Sequence, residues 1–141
     1  MIAALLWWVS VNAVPVYVIT WADTAITGAN VAWCEAGREY TDGVYVLQTA
    51  RNNARRLRRP LLTVLKTPGW YAYKCTRVGL TMRHITIGIQ AATADMKGPD
   101  WIYHSYAYCG DYDRPGICEG RCVGGCPMVG TGRVMRYYGL N

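Results

Sequence analysis

The spacing of apolar and polar residues changes along the chain, and each change marks an expected element. Met1 to Val9 (MIAALLWWV) is an uninterrupted apolar run. Val14–Trp21 (VPVYVITW) is rich in β-branched and aromatic residues and reads as a strand. A polar stretch with Gly28 and Gly37 follows, and it carries Trp33-Cys34. The segment 44-VYVLQTARNNARRLRR-59 has helical phase, with Val46, Leu47, Ala50, Ala54 and Leu57 gathered on one side. Arg51, Arg55, Arg58 and Arg59 fall about 100° or more away on the same helix. Thr41 or Asp42 is placed to cap its free N–H groups, and Pro60 stops it.

Beyond Pro60 the spacing reads as two. Leu61–Lys66 and Trp70–Cys75 flank Thr67-Pro68-Gly69 and are expected to form a hairpin. Met82–Gln90 (MRHITIGIQ) alternates as a strand, with a short helix over Ile89–Met96 before Gly98-Pro99. Trp101–Cys109 (WIYHSYAYC) reads as a further strand, and Val134–Tyr138 as a last, edge strand. The expected fold is α+β: an antiparallel sheet packed on one amphipathic helix, with a disulfide-stapled C-terminal loop region.

Composition sharpens this. The 141 residues suit one domain, and an ordinary apolar content of 52% with no sustained Gly period or heptad excludes collagen, coiled coil and wholesale disorder. The net charge of +6 is uneven. Residues 43–97 hold ten bases against Asp95 alone, while residues 1–42 hold one base against four acids. No charged side chain precedes Asp23, and the small residues up to Ala13 suit a signal peptidase. We therefore expect a signal peptide at 1–13 and a single secreted domain at 14–141. An uncleaved anchor or an ordinary core element are the alternatives for the same run.

Six cysteines, an even number in a short chain, fit an oxidising compartment and up to three disulfides among Cys34, Cys75, Cys109, Cys118, Cys122 and Cys126. At least one bridge is expected to tie Cys34 or Cys75 to the Gly-rich tail. The spacing Cys118-x3-Cys122-x3-Cys126, with Cys109 and His104 upstream, makes zinc the rival reading. Gly120, Gly124 and Gly125 argue against a helix presenting the three thiols together, so no metal and no cofactor is expected.

Three constellations carry candidate chemistry. The first is 51-RNNARRLRR-59, where guanidinium forks on one helix face suit phosphate or other anionic groups. A solvated helix face is the plain alternative. Arg55-Arg56 also forms a dibasic pair at which a secretory-pathway convertase would cut after Arg56. The second is His84 with His104, which with Lys74, Arg77 and Arg83 are the minimum for acid–base cleavage of RNA; the plain reading is that each hydrogen-bonds within a sheet. The third is the set of eleven Tyr and six Trp, in which Trp70 and Trp101 head aromatic stripes that suit stacking as well as sheet core. G-x-G-x-x-G, P-loop, G-x-S-x-G and H-E-x-x-H signatures do not occur.

The signal-like start, even cysteines, dibasic pairs at 55–59 and α+β pattern together resemble the fungal small secreted cysteine-rich proteins of the killer-toxin and effector type. That resemblance implies a secreted, disulfide-stabilised α/β-sandwich acting on a competing or host cell without catalysis of its own. The expected partner is an anionic surface or membrane-associated target of another cell, met by Arg51, Arg55, Arg58 and Arg59. Nucleic acid and self-association are further partners to weigh. The alternative functions are a small secreted ribonuclease using His84 and His104, or an intracellular nucleic-acid-binding module.

Overall fold

The computed structural model describes residues 2–76, 78–110 and 125–140, with side chains from Ile19 onward. Among these residues the chain runs through α1 (Ile2–Ala36), α2 (Tyr40–Leu57), α3 (Leu61–Leu65), α4 (Met82–Thr93), a 3-10 turn (Asp100–His104), β1 (Ala107–Gly110), β2 (Met128–Thr131) and β3 (Met135–Tyr138). The strands form one antiparallel sheet in the order β1-β3-β2. The class is α+β, as expected, but among the described residues four α-helices stand where one amphipathic helix and a short helix over Ile89–Met96 were expected.

Helix α2 stands between the other helices and the sheet, and that position decides its sequence. Val46, Leu47 and Ala50 face the core together with Val64, Leu65, Ile87, Ile102 and Tyr137. Gln48, Thr49, Asn52 and Asn53 are buried as well, so the first three turns are covered nearly all round. A buried polar side chain is tolerated only when hydrogen-bonded, and these four bind the 95–106 stretch. Gln48 donates to Asp95 and accepts from the Met96 N–H (3.2 and 2.6 Å). Asn52 donates to the carbonyls of Ile102 and Ser105, Asn53 to that of Tyr106, and Thr49 pairs with Ser105. A polar stripe on a helix has here become the clamp for an irregular segment.

Two runs expected as strands are helical. Val14–Trp21 belongs to α1, and Met82–Gln90 belongs to α4. In α4 the buried residues are His84, Ile87, Gly88 and Ala91, the i, i+3, i+4, i+7 set of one helix face. The β-branched content suggested a strand, and tertiary packing overrode it. The reason lies at the crossing of α1 and α4. Gly28 and Gly88 meet backbone to backbone, and a Cβ on Gly88 would overlap the Ala25 carbonyl oxygen. With Ala25, Ala29 and Ala32 also buried, small side chains let the two helices approach closely.

The expected hairpin at 61–75 is instead α3 followed by turns and irregular chain. Three successive residues at the end of α1 hold that chain. The Trp33 indole donates to the Thr76 carbonyl (2.7 Å), Cys34 is bonded to Cys75, and Glu35 accepts from the Ala72 N–H (2.6 Å). The disulfide thus joins α1 to the segment before α4, not to the tail as expected. By chain-entropy reasoning, a bridge closing 41 residues of sequence is worth about 4 kcal/mol. Cys109 and Cys126 are disulfide-bonded too, which removes them as thiolate ligands for zinc. Cys118 and Cys122 lie outside the described residues, as does Arg77.

The strand expected over Trp101–Cys109 is divided between the 3-10 turn and β1, and the expected edge strand, β3, is the centre of the sheet. β3 is anchored by Tyr137 and Asp42, both fully buried. Asp42, in the first turn of α2, accepts from the N–H groups of Arg133 and Val134 (2.9 Å each) and from the Tyr137 hydroxyl (2.8 Å). Burial, then the neighbouring Asp42 carboxylate, push the Tyr137 phenol far above its ordinary range, so it stays a donor. The helix begins at Tyr40 with Glu39 at its N-cap and no side-chain cap hydrogen bond, so Asp42, expected as a cap, instead commits its carboxylate to the β2–β3 turn.

Candidate functional site: an arginine-lined depression

The last turn of α2 is where the helix leaves the core. Arg55, Arg58 and Arg59 are exposed there, and Arg51 is half-buried one turn earlier. Together with Ala54 and Leu61 these four arginines line a shallow depression of about 290 Å³. The sequence grouped them on one helix face, and the structure turns that face into a concave surface, because the chain reverses at Arg58 and Pro60 brings Leu61 of α3 across the end of α2.

The four guanidiniums differ in what holds them. Arg51 donates to the Ala91 carbonyl in the last turn of α4 (2.6 Å) and pairs with Asp95 (3.0 Å). Arg55 pairs with both Asp95 oxygens through one nitrogen (2.9 and 2.8 Å). Burial raises the Asp95 carboxyl, but hydrogen bonds from Arg51, Gln48 and Arg55, with the charge of Arg55, outweigh it and hold the group below the usual range. Among the described residues neither Arg58 nor Arg59 makes an ion pair. Of the four cations, two are thus paired with the Asp95 carboxylate and two are not.

The backbone here is also unusual. Arg58 has φ 52° and ψ 47°, the only non-glycine residue of positive φ among those described. The N–H groups of Arg58 and Arg59 close onto the carbonyls of Arg55 and Ala54, the hydrogen-bonded helix ending that normally places glycine at the left-handed residue. An arginine in that conformation costs about 1 kcal/mol or more. Arg56, the better processing site of the dibasic pairs, lies within the last helical turn beside Asn53, to whose side-chain oxygen it donates (3.1 Å).

The two histidines lie on different elements, neither of them a strand. His84 is buried in the first turn of α4 and has both ring nitrogens occupied. Nδ1 accepts from the Thr81 N–H (2.9 Å), so the proton sits on Nε2, which donates to the Gly37 carbonyl (2.7 Å). Trp33 and Tyr40 enclose the ring. His104 is exposed at the end of the 3-10 turn. No hydrogen bond or ring contact joins the two.

The tryptophans divide as well. Trp101 is half-buried between Tyr45 and Tyr137, with ring centroids 5.2 and 5.4 Å away. Trp70 is 40% exposed beside a second hollow, whose walls come from segments far apart in the chain and so are not visible in its spacing. Among the described residues no group of His, Cys, Asp or Glu is arranged to hold a metal ion, and no helix is long and apolar enough to cross a membrane. No family model, curated protein or solved structure matches this chain.

Proposed function

We propose that the chain is a secreted, disulfide-stabilised binding protein of the toxin or effector type, which meets an anionic membrane surface on its target cell through the arginine-lined depression. The observation that carries this reading is the convergence of Arg51, Arg55, Arg58 and Arg59 on one concave surface, where among the described residues Asp95 pairs with the first two and no ion pair engages the others. Guanidinium forks match the paired oxygens of phosphate headgroups. Arg58 supports the reading independently, since it occupies a backbone conformation that glycine would fill at lower cost. Disulfides at Cys34, Cys75, Cys109 and Cys126 fit an oxidising compartment. The ribonuclease alternative draws little from His84, because a general acid or base needs a ring nitrogen facing substrate and both are committed within the fold.

Co-sedimentation with vesicles tests the proposal. The protein is expected to partition onto phosphatidylcholine vesicles containing phosphatidylserine, to ignore pure phosphatidylcholine, and to be released as salt shortens the Debye length from about 10 to about 3 Å. Equal binding to both compositions, or binding indifferent to salt, would contradict it.

A further inference from the structure

On the other side of α2 from the arginine depression, the structure holds a second hollow of about 300 Å³, at the lower end of the range of small-ligand sites. Its walls are aromatic, made by Trp70, Tyr71, Tyr106 and Tyr108, and one cation, Arg56, stands among them. The parts are fixed by the fold. Trp70 follows Pro68-Gly69, where Gly69 has φ 78° and the Trp70 N–H closes onto the Thr67 carbonyl. Tyr71 is buried and accepts a hydrogen bond from Asn53 (3.2 Å). Tyr108 sits in β1, paired to the central strand. The Arg56 guanidinium carbon lies 5.8 Å from the centroid of the Tyr106 ring.

The polar inventory of the hollow narrows what it accepts. Both Asn53 amide hydrogens are committed, to Tyr71 and to the Tyr106 carbonyl, and its oxygen accepts from Arg56. Among the described residues no carboxylate lines the hollow. Apart from Asn53 and Arg56, the polar side-chain groups of the lining are the hydroxyls of Tyr71, Tyr106 and Tyr108 and the Trp70 indole N–H, all carried on aromatic rings. Among the described residues, the hollow thus offers aromatic faces with polar edges and one charged group, the Arg56 guanidinium, and the Nε and Nη1 of that group make no hydrogen bond. We infer that this hollow is a ligand site for a planar aromatic ring carrying one anionic group, a phosphate, sulfate or carboxylate. The ring lies against Trp70 and the tyrosines, and the anion is held by Arg56. The inference stands apart from membrane binding, since it uses none of the four arginines of the depression.

Phenyl phosphate is the probe, followed by protein-observed NMR with phenol, inorganic phosphate and a methyl glucoside alongside. The expected result is saturable binding of phenyl phosphate, tighter than that of phenol, with shifts centred on Trp70, Tyr106 and Arg56. Trp70→Ala should remove it. Arg56→Met should weaken phenyl phosphate about tenfold and leave phenol unchanged, as loss of a charge-assisted hydrogen bond predicts. Retained folding of each variant is read from the same spectra, because both side chains are exposed. Shifts centred on Arg58 and Arg59, inorganic phosphate binding as well as phenyl phosphate, preference for the glucoside, or an Arg56→Met variant that binds normally would each overturn the assignment.

Discussion

Arg58 sets stability against function within a single residue. Its left-handed backbone is the conformation in which glycine has no Cβ penalty, yet the chain places there the residue that completes the arginine depression. Arg58→Gly is therefore expected to stabilise the fold by about 1 kcal/mol in denaturant titration while weakening attachment to anionic vesicles. A destabilised variant would show that the arginine side chain holds the helix end, and the argument for a binding role would lose its second support. His84 makes the opposite case. It looked like candidate chemistry because only two histidines exist, and its real role is to join the first turn of α4 to Gly37 at the end of α1. Nothing in the tripeptide around it distinguishes these roles. The distinguishing fact is a carbonyl 47 residues away.

At the scale of the element, α2 was legible and α4 was not. The α2 segment combines good helix formers, an apolar face and a terminal Pro60, so local preference and tertiary packing agree, although the cap expected at Thr41 or Asp42 does not form. In α4 they conflict: Ile85, Thr86, Ile87 and Ile89 favour a strand, and the close approach through Gly28 and Gly88 makes the helix. The concavity of the arginine site depends on a chain reversal, and helix phase carries no information about that. Asp95 links α2 to the end of α4, and its pH dependence follows from its depressed pKa. A group depressed in the folded state contributes stability that is present above its ordinary value of 3.8 and lost as pH falls through the lower folded value. Asp95→Asn is expected to cost up to about 1 kcal/mol at pH 7, a limit set by solvent screening of a half-exposed pair, with the gap to wild type closing below pH 3.8. The same variant should bind anionic vesicles more tightly, since it frees Arg55. A gap that persists unchanged in acid would mean that the ion pairs contribute nothing.

For the whole molecule, the uneven charge becomes a statement about position. Of the ten bases of residues 43–97, the four arginines of the depression already fall together within 51–59, and the fold sets them around one concave surface at the end of the helix that touches every layer. The class was readable from composition and turn signals. The topology was not, because the buried polar stripe of α2 and the α1–α4 crossing depend on partners distant in the chain. The central claim is that these arginines act as a site and not merely as net charge. Its most direct test compares vesicle partitioning of Arg58→Gln/Arg59→Gln with that of Lys74→Gln/Arg133→Gln, which removes the same charge from other exposed positions. At about 1 kcal/mol per basic residue near an anionic surface, the first variant should lose roughly thirtyfold in partitioning and the second only a few-fold. Equal losses in the two variants would contradict the account.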